Sequence, residues 1–352
     1  MKAVVLLSGG VDSSVALAMV KQMGWDAEAY YLKIWLEDDM AFMGDCPWEE
    51  DLYYAREVCK KLDVPLKIIN MQREYFNTVV EYSITELKAG RTPSPDIMCN
   101  KNIKFGLFFD KLQTSFDKCV SGHYAKCIES DGKFLLYQAE DKFKDQTYFL
   151  TYLNQSQLSR IYFPLGDFQK SEVREKATAF ELPTAVRKDS QGICFLGKIK
   201  YNDFVKFHLG EKKGNIIELE SGKKLGEHNG FWFHTIGQRQ GLGLSGGPWY
   251  VVQKDINENI IYVSHSEDIL NRPCNEYFVS DINWINDAPE KFNLTTKLRH
   301  GPKKIDCNIE FQGKDLLKVK LNQQDAGISP GQFSIFYDDA LCLGGGIISG
   351  TV

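Results

Sequence analysis

A short polar loop near the amino terminus has the composition of a phosphate-binding site. It reads Ser8-Gly9-Gly10-Val11-Asp12-Ser13 and directly follows an apolar stretch, Ala3–Leu7. Two adjacent glycines let the backbone turn sharply and approach a ligand closely. Amides at the start of a following helix would favour an anion, and the Asp12 carboxylate could help to hold Mg²⁺ on a polyphosphate. The plainer alternative is a glycine turn in which Asp12 or Ser13 caps the helix, but the strand–loop–helix context favours the phosphate loop.

A thiol and a carboxylate, Cys99 and Asp96, lie three residues apart in a second segment, Thr92–Asn100. Two prolines, Pro93 and Pro95, hold this segment extended just before a predicted helix. A thiol near a helix amino terminus tends towards thiolate, which is its nucleophilic form. Burial as a small apolar side chain is the usual alternative for a lone cysteine. The polar and turn-forming neighbours of Cys99 disfavour that alternative.

A further cysteine, Cys194, lies in the string Asp189–Gly197, beside Gly192. Sequence alone does not place Cys194 near Cys99, and core packing stays open for Cys194 taken singly. The nine cysteines include no Cys-x-x-Cys pair, and the six histidines are scattered. Zinc-ligand spacing is therefore absent, and we expect no metal site built by the protein alone.

The elements that must position these residues alternate between strands and helices in the first half of the chain. The predicted strands are Ala3–Leu7, Ala27–Leu36, Pro65–Met71 and Lys118–Cys127, and the predicted helices are Ser14–Met23, Glu50–Leu62, Tyr75–Lys88 and Asn102–Leu112. Such alternation implies an α/β domain whose parallel sheet is covered by helices on both faces.

After Lys198 the pattern changes to short β-rich runs separated by Gly, Asn and Asp. The predicted strands are Phe231–Ile236, Trp249–Gln253, Ile260–Ser264, Thr295–Arg299, Leu316–Leu321 and Gln332–Phe336. These runs predict one or two small β-barrels. We therefore divide the chain into an α/β domain of residues 1–197, a central β-rich domain of residues 198–272 and a β-barrel of residues 273–352.

Composition limits the class of protein. The net charge of −5 argues against a protein that coats nucleic acid nonspecifically, without excluding an RNA enzyme with a local basic face. A basic cluster offers such a face, although a solvated turn is the alternative: it consists of Lys297, Arg299, His300, Lys303 and Lys304. No apolar run is long enough to cross a bilayer, and Ala3–Leu7 is too short for a signal peptide. We expect no membrane partner and a cytoplasmic location.

Six strings that occur in order along nearly the whole chain carry a resemblance to known enzymes. They are Ser8–Ser13, Thr92–Asn100, Gly122–Ala125, Lys144–Leu150, Gly192–Phe195 and Thr235–Arg239. The first string resembles the PP-loop of ATP pyrophosphatases, which have an adenine nucleotide alpha hydrolase-like fold, adenylate a substrate oxygen and release pyrophosphate. The complete set resembles the tRNA-specific 2-thiouridylase family. One departure is Ser94, because the family usually has Asn at that position.

This resemblance implies a role for each matched residue. Cys99 would be the nucleophile of the thiolation step, Cys194 would carry the persulfide sulfur, and Asp96 would act as acid/base beside the target base. Contacts with ATP would come from Leu6, Leu7, Ser8, Gly9, Gly10, Val11, Asp12, Ser13, Leu32 and Gly122. Contacts with tRNA would come from Ser94, Pro95, Asp96, His123, Lys144, Asp145, Gln146, Arg299, His300 and Gln332.

The resemblance also implies the reaction and its partners. The target would be the wobble uridine of tRNAs for Lys, Glu and Gln, whose C2 carbonyl oxygen is adenylated by ATP with Mg²⁺ and then replaced by sulfur. Adenylation is needed because a carbonyl oxygen is a poor leaving group and AMP is a good one, and a persulfide is a strong nucleophile at neutral pH. The implied partners are tRNA and a persulfide donor, either a cysteine desulfurase or a relay protein. A disulfide bond is implied, and no prosthetic group.

Three rival readings stay open at this point. Another PP-loop enzyme, such as an amidotransferase-type synthetase or a small-molecule ligase, would explain Ser8–Ser13 but leave Cys99 and Cys194 idle. A tRNA 4-thiouridine synthase would use a thiol, but that family carries an RNA-binding region ahead of its PP-loop, which here starts at Ser8. A non-catalytic nucleotide- or RNA-binding module would bind ATP without releasing pyrophosphate.

Overall fold

A computed structural model describes most of the chain. It covers residues 1–34, 47–189, 200–265, 275–313, 315–325 and 327–351. The end of the predicted strand Ala27–Leu36 and the string around Cys194 lie outside the described residues, so nothing is said of their structure. In the part that the structure describes, no helix is both long and apolar enough to span a membrane.

The first half of the chain forms a five-stranded parallel sheet in the order β3-β2-β1-β4-β7. Its strands are β1 (Lys2–Leu6), β2 (Asp26–Lys33), β3 (Leu66–Asn70), β4 (Lys118–Val120) and β7 (Ile161–Tyr162). Successive β1 side chains point to opposite faces, as the pleat requires: Ala3 and Val5 join one apolar cluster, whereas Val4 and Leu6 join another. Both faces are therefore covered, and the predicted α/β architecture is confirmed.

Helices supply the two covering layers. They are α1 (Val11–Gln22), α2 (Pro47–Leu62), α3 (Gln72–Tyr75), α4 (Glu81–Lys88), α5 (Pro95–Met98), α6 (Phe108–Lys111), α7 (Gln155–Leu158), α8 (Lys170–Ala179) and α9 (Tyr201–Leu209). Two predicted helices contain wide π-helical stretches, Phe76–Val80 between α3 and α4 and Cys99–Leu107 between α5 and α6. Such stretches are rare and often lie at functional sites.

One predicted strand, Lys118–Cys127, is wrong as a single element. The chain leaves the parallel sheet after β4 and turns through Ser121–Tyr124 into an antiparallel hairpin. This hairpin consists of β5 (Ala125–Ser130) and β6 (Lys133–Gln138). At this turn Gly122, which has no side chain, lets the chain pass close to the first turn of α1.

The second half is β-rich, as predicted. A four-stranded sheet in the order β10-β11-β8-β9 comprises β8 (Gly214–Glu218), β9 (Lys224–His228), β10 (Trp249–Asp255) and β11 (Ile260–His265). The predicted strand Phe231–Ile236 is wrong, because Phe231–Phe233 forms a 3₁₀ turn. Gly230 precedes it at a φ of 142°, and the Phe231 amide donates to Asn259 Oδ1 at 3.2 Å instead of to a strand.

The carboxyl-terminal part closes into a six-stranded antiparallel barrel. Its strands are β12 (Glu276–Trp284), β13 (Asn293–Lys297), β14 (Ile305–Phe311), β15 (Leu316–Leu321), β16 (Phe333–Asp338) and β17 (Leu341–Thr351). Pairing runs β12-β15-β14-β13-β16-β17, and β17 pairs again with β12 to complete the closure. Because β6 also pairs with β17, the hairpin of the first half extends the barrel sheet and joins the two parts.

Candidate active site

The loop Ser8–Ser13 lies at the carboxyl end of β1 and leads into α1, where open α/β sheets bind their ligands. Gly9 has a φ of +77°, and a Cβ there would lie 2.2 Å from the Asp51 carbonyl oxygen, so only glycine fits. The Ser8 and Ser13 hydroxyl oxygens are 3.1 Å apart, and the Ser8 amide donates to Ser13 Oγ at 3.2 Å. The serines therefore hold the loop in a closed turn.

Gly122 and Leu32, predicted ATP contacts distant in sequence, lie on strands or turns next to this loop. A Cβ on Gly122 would come within 2.7 Å of the Ser13 amide nitrogen, so the turn after β4 touches the loop. Leu32 lies near the carboxyl end of β2, which pairs with β1. The predicted ATP residues thus converge on one edge of the parallel sheet, although Leu6 and Leu7 are themselves buried in the core.

Asp12 is the centre of a polar network that the sequence analysis did not find. Its Oδ1 accepts a hydrogen bond from the Tyr124 hydroxyl at 2.8 Å and one from Lys170 Nζ at 2.6 Å. Lys170 also pairs with Asp189 at 3.0 Å. Tyr124 and Asp189 belong to strings that had been singled out, but Lys170 carries no local signal, because its partner lies 158 residues away.

Asp189 receives three cations. Lys144 lies 2.9 Å, Lys170 3.0 Å and Arg174 2.6 Å from its carboxylate oxygens. Partial burial raises the pKa of Asp189, but the hydrogen bonds from Lys144 and Lys170 outweigh burial and lower this pKa to about 2. The carboxylate is therefore ionised at neutral pH.

Arg187 is a second residue that the sequence analysis missed. Its guanidinium donates to the Gly9 carbonyl oxygen at 2.6 Å and to Asp51 Oδ1 at 2.6 Å, and it lies 4.5 Å from the Tyr54 ring centroid. Burial raises the pKa of Asp51, and the hydrogen bond from Arg187 opposes that rise. Arg187 therefore ties α2 to the loop and places a positive charge beside it.

Magnesium fits this edge of the sheet as an ion carried by nucleotide phosphates. Asp12 offers a carboxylate oxygen, and Mg²⁺ is usually held by one or two carboxylates together with substrate phosphates. No group of three or more His, Cys, Asp or Glu side chains converges among the described residues. Asp12 would hold the ion from the protein side, and the ion would neutralise phosphate charge.

Cys99 lies in a different environment from the one expected. Its side chain is 1 % exposed and packs in an apolar cluster with Met98, Ile103 and Phe105, so the expectation that burial is disfavoured is wrong. The cluster also draws on Tyr148 and Phe204, which are distant in sequence. Cys194 lies outside the described residues.

The segment before Cys99 is held by both β-rich parts. The Thr92 amide donates to the Pro330 carbonyl oxygen at 2.9 Å, and the Thr92 hydroxyl lies 3.2 Å from Ser329 Oγ and donates to Thr235 Oγ1 at 3.3 Å. A Cβ on Gly331 would lie 2.8 Å from the Thr92 carbonyl oxygen. Since Gln332 follows Gly331, the predicted tRNA contacts Ser94, Pro95 and Gln332 belong to segments that meet here.

Asp145 and Lys297 form an internal ion pair, so two expectations need correction. Their charged atoms are 2.8 Å apart, and both side chains are 0 % exposed. The Asp145 carboxylate, predicted to meet tRNA, is instead buried, and Lys297 does not belong to an exposed basic face. The neighbouring Gln146 is also engaged, since its Oε1 accepts the Tyr124 amide at 3.0 Å.

The rest of the basic cluster is partly exposed. Arg299 and Lys303 have side chains that are 55 % and 60 % exposed, and both approach Asp325, at 2.6 Å and 3.8 Å. His300 stacks on Phe149 with ring centroids 4.8 Å apart. Burial and then the charge of Lys297 lower the pKa of His300, against the opposing influence of carboxylates that include Asp96. His300 and Asp96 therefore share one neighbourhood.

His123, another predicted tRNA contact, packs between Phe105 and Phe163 at ring distances of 5.8 Å and 6.0 Å. Its Nδ1 lies 2.7 Å from Ser121 Oγ. Burial, helped by the charge of Lys104, lowers the pKa of His123 well below its usual value. The ring is neutral at pH 7, so any contact with RNA would be a hydrogen bond or a stacking contact.

Comparison with known proteins matches three family models in succession. Residues 1–198 match the tRNA methyl transferase HUP domain, residues 202–265 the tRNA methyl transferase PRC-barrel domain, and residues 275–348 the aminomethyltransferase beta-barrel domain. The HUP match covers the parallel sheet and its phosphate loop.

Relatives that match this chain over nearly its full length are named tRNA-specific 2-thiouridylase MnmA. The tRNA-specific 2-thiouridylase MnmA of Parabacteroides distasonis is 48% identical over 99% of this chain and 99% of its own. The corresponding MnmA 1 of Bacteroides thetaiotaomicron is 45% identical over 98% of both chains, and MnmA of Porphyromonas gingivalis is 42% identical over 98% of both. On this identity, which extends over the phosphate loop, the Cys99 segment and both β-rich parts, the chain belongs to the tRNA-specific 2-thiouridylase family.

Proposed function

We propose that this chain thiolates the wobble uridine, position 34, of tRNAs for Lys, Glu and Gln. ATP would adenylate the C2 carbonyl oxygen with release of pyrophosphate, and persulfide sulfur would displace AMP. The observation that supports this most is the convergence of Gly122, Asp12 and the loop Ser8–Ser13 at the carboxyl edge of the sheet, in a chain that also carries the Asp96–Cys99 segment.

In the proposed ATP site, backbone amides, a cationic side chain and a carboxylate surround the triphosphate. The glycine-rich turn and the start of α1 would bind phosphates through backbone amides. Arg187 lies beside Gly9 and would offset the charge of the triphosphate. Asp12 would hold Mg²⁺. No prosthetic group enters this scheme.

The sulfur step balances with two cysteines. The terminal sulfur of a Cys194 persulfide would bond to C2 as the bond from C2 to the AMP oxygen breaks. The Cys99 thiolate would then attack Cys194 Sγ, which leaves the sulfur on the base as thiocarbonyl and forms a Cys99–Cys194 disulfide. An external thiol must reduce that disulfide before the next turnover, and a cysteine desulfurase or relay protein must restore the persulfide.

The buried position of Cys99 adds a requirement to this scheme. A thiol that is 1 % exposed does not meet RNA until the packing around it opens. Asp96 lies one helical turn earlier in the same helical run and would act as acid/base at the uridine. Binding of the flipped-out base is the step that we propose opens this packing, since base-modifying enzymes extract their target from the stack. The location of such an enzyme would be the cytoplasm.

One experiment separates this proposal from the others. Purified protein is incubated with Mg-ATP, a persulfide donor and unmodified tRNA(Lys) transcript, and pyrophosphate and 2-thiouridine are both measured. We expect pyrophosphate release that requires tRNA, with one thiouridine formed for each pyrophosphate. Pyrophosphate without thiouridine would indicate another PP-loop enzyme, and ATP binding without pyrophosphate a non-catalytic module. Product methylated from a methyl donor, as the names of two matched models suggest, would also refute the proposal.

A further inference from the structure

Four side chains form a continuous line of ion pairs between the two proposed substrate sites. Asp12, in the phosphate loop, accepts from Lys170 at 2.6 Å; Lys170 reaches Asp189 at 3.0 Å; and Asp189 pairs with Lys144 at 2.9 Å. Lys170 is 13 % exposed, whereas Lys144 is 42 % exposed. One end of the line is therefore at the ATP site and the other faces solvent in a segment proposed to bind tRNA.

Lys170 is shared between the carboxylates of Asp12 and Asp189, so its position depends on which of the two attracts the ammonium more strongly. Arg174 fixes Asp189 from the other side, because the same guanidinium donates to the carbonyl oxygens of Ala185 and Arg187. The Asp189 carboxylate therefore stays in place when the number of cations beside it changes. Partly buried charges are poorly screened by salt, which makes the pull of Asp189 on Lys170 sensitive to what Lys144 does.

We propose that Lys170 and Asp189 are positioning residues that couple ATP binding at Asp12 to tRNA binding at Lys144; this inference rests on the proposed function. An RNA phosphate draws Lys144 away from Asp189. Asp189, having lost one cation, attracts Lys170 more strongly, and Lys170 releases the Asp12 carboxylate for Mg-ATP. By linkage, Mg-ATP at Asp12 shifts Lys170 towards Asp189 and frees Lys144 for RNA by the same factor.

Substitutions of Asp189 and Lys170 should have opposite effects on ATP affinity. In Asp189→Asn, Asp12 is the one charged partner that Lys170 keeps among the residues that the structure describes, so Mg-nucleotide binds more weakly, with or without tRNA. In Lys170→Met, Asp12 is free at all times, so Mg-nucleotide binds without tRNA about as tightly as it binds the wild type with tRNA. A network that serves only to stabilise the fold predicts weaker binding in both variants.

The test measures the Kd of the Mg²⁺ complex of α,β-methylene ATP, which is not turned over, with and without saturating unmodified tRNA(Lys) transcript. We expect tRNA to lower this Kd by about 5-fold or more in the wild type and by less than about 2-fold in Asp189→Asn and Lys170→Met. Asp189→Glu keeps the charge and should keep most of the effect. Lys61→Met is the matched control, since Lys61 pairs with Glu181 on the exposed surface and should retain the wild-type ratio.

The outcomes distinguish this inference from the function on which it rests. Thermal unfolding of each variant shows whether it is folded, and Asp189→Glu and Lys170→Met keep the test valid if Asp189→Asn does not fold. If the wild type releases pyrophosphate with tRNA but its Kd ratio is near one, or if folded variants keep the wild-type ratio, the coupling is refuted and the function stands. If the wild type neither binds tRNA nor releases pyrophosphate, the function fails and the coupling fails with it.

Discussion

Replacing Lys297 with methionine would leave a buried carboxylate without its counter-ion. The Lys297 ammonium and the Asp145 carboxylate are 2.8 Å apart, and neither side chain is exposed. Asp145 would keep hydrogen bonds from Gln138 Nε2 at 3.0 Å, from the Ala139 amide at 3.2 Å and from the Thr147 hydroxyl at 2.9 Å. These neutral donors do not replace a charge, and removing one partner of a buried pair costs about 3–5 kcal/mol.

Urea unfolding measures this cost. With an m-value of about 2 kcal/mol/M, a loss of about 3–5 kcal/mol lowers the midpoint of the barrel transition by about 1.5–2.5 M. Tryptophan fluorescence follows that transition in part through Trp284, which packs beside Phe336 in the barrel. The double variant Asp145→Asn with Lys297→Met removes both charges, so most of the loss should be recovered. A single variant that unfolds within about 0.3 M urea of the wild type would refute the reasoning, because the pair would then contribute little net stability.

Four further predictions address the site and its supports. Gly122→Val places side-chain atoms against the Ser13 and Asp12 backbone and should raise the Kd for ATP at least 10-fold in a nucleotide-binding assay, with tRNA affinity kept. Cys99→Ser should abolish thiouridine formation. Cys59→Ser, at another buried thiol, should cost about 1 kcal/mol of stability and leave activity intact. Thiolation by Cys99→Ser at the wild-type rate would exclude the two-cysteine scheme. Burial lowers the pKa of Lys254 from 10.5 to about 8. Between these pH values the unfolded chain binds a proton that the native chain lacks, so this residue makes the free energy of unfolding rise with pH from about 8 to 10.5. Lys254→Met should remove that rise in unfolding experiments across this range. Arg299→Ala with Lys303→Ala should weaken tRNA binding and lower its salt slope by about 0.7–0.9 per lost phosphate contact, and unchanged anisotropy titrations at every salt concentration would remove these residues from the RNA interface.

Local patterns were sufficient for the phosphate loop and the parallel sheet. The loop Ser8–Ser13 is specified by two adjacent glycines and a following helix, all within a few residues, so its position is confirmed. The apolar run that became β1 is likewise short and continuous, as expected for a strand buried on both faces, whereas β3 lies at the edge of the sheet and keeps Lys67 and Ile68 exposed. The hairpin β5–β6 was missed because its apolar residues continue those of β4 and only the Gly122 turn separates them.

Long-range contacts explain what the sequence analysis missed. Lys170 meets Asp12 across 158 positions, and Arg187 meets Gly9 across 178, so no local spacing could reveal either contact. The burial of Cys99 also involves residues that are distant in sequence, because the apolar cluster to which it belongs includes Tyr148 and Phe204. The polar and turn-forming residues near Cys99 gave the wrong expectation, because Ile97, Met98 and distant residues of the same apolar cluster bury the thiol.

The contacts of Thr92 change what the β-rich parts are expected to do. In the sequence analysis, the terminal barrel supplied only a basic cluster and expected contacts with tRNA. In the structure, Pro330 and Ser329 of the barrel region and Thr235 of the central part all bond to Thr92, four residues before Asp96. Lys254 adds a hydrogen bond to the Gly90 carbonyl oxygen at 2.8 Å. The start of the helical run that carries Asp96 and Cys99 is thus fixed by both β-rich parts, so a disturbance in either one reaches the proposed catalytic residues as well as the proposed RNA surface.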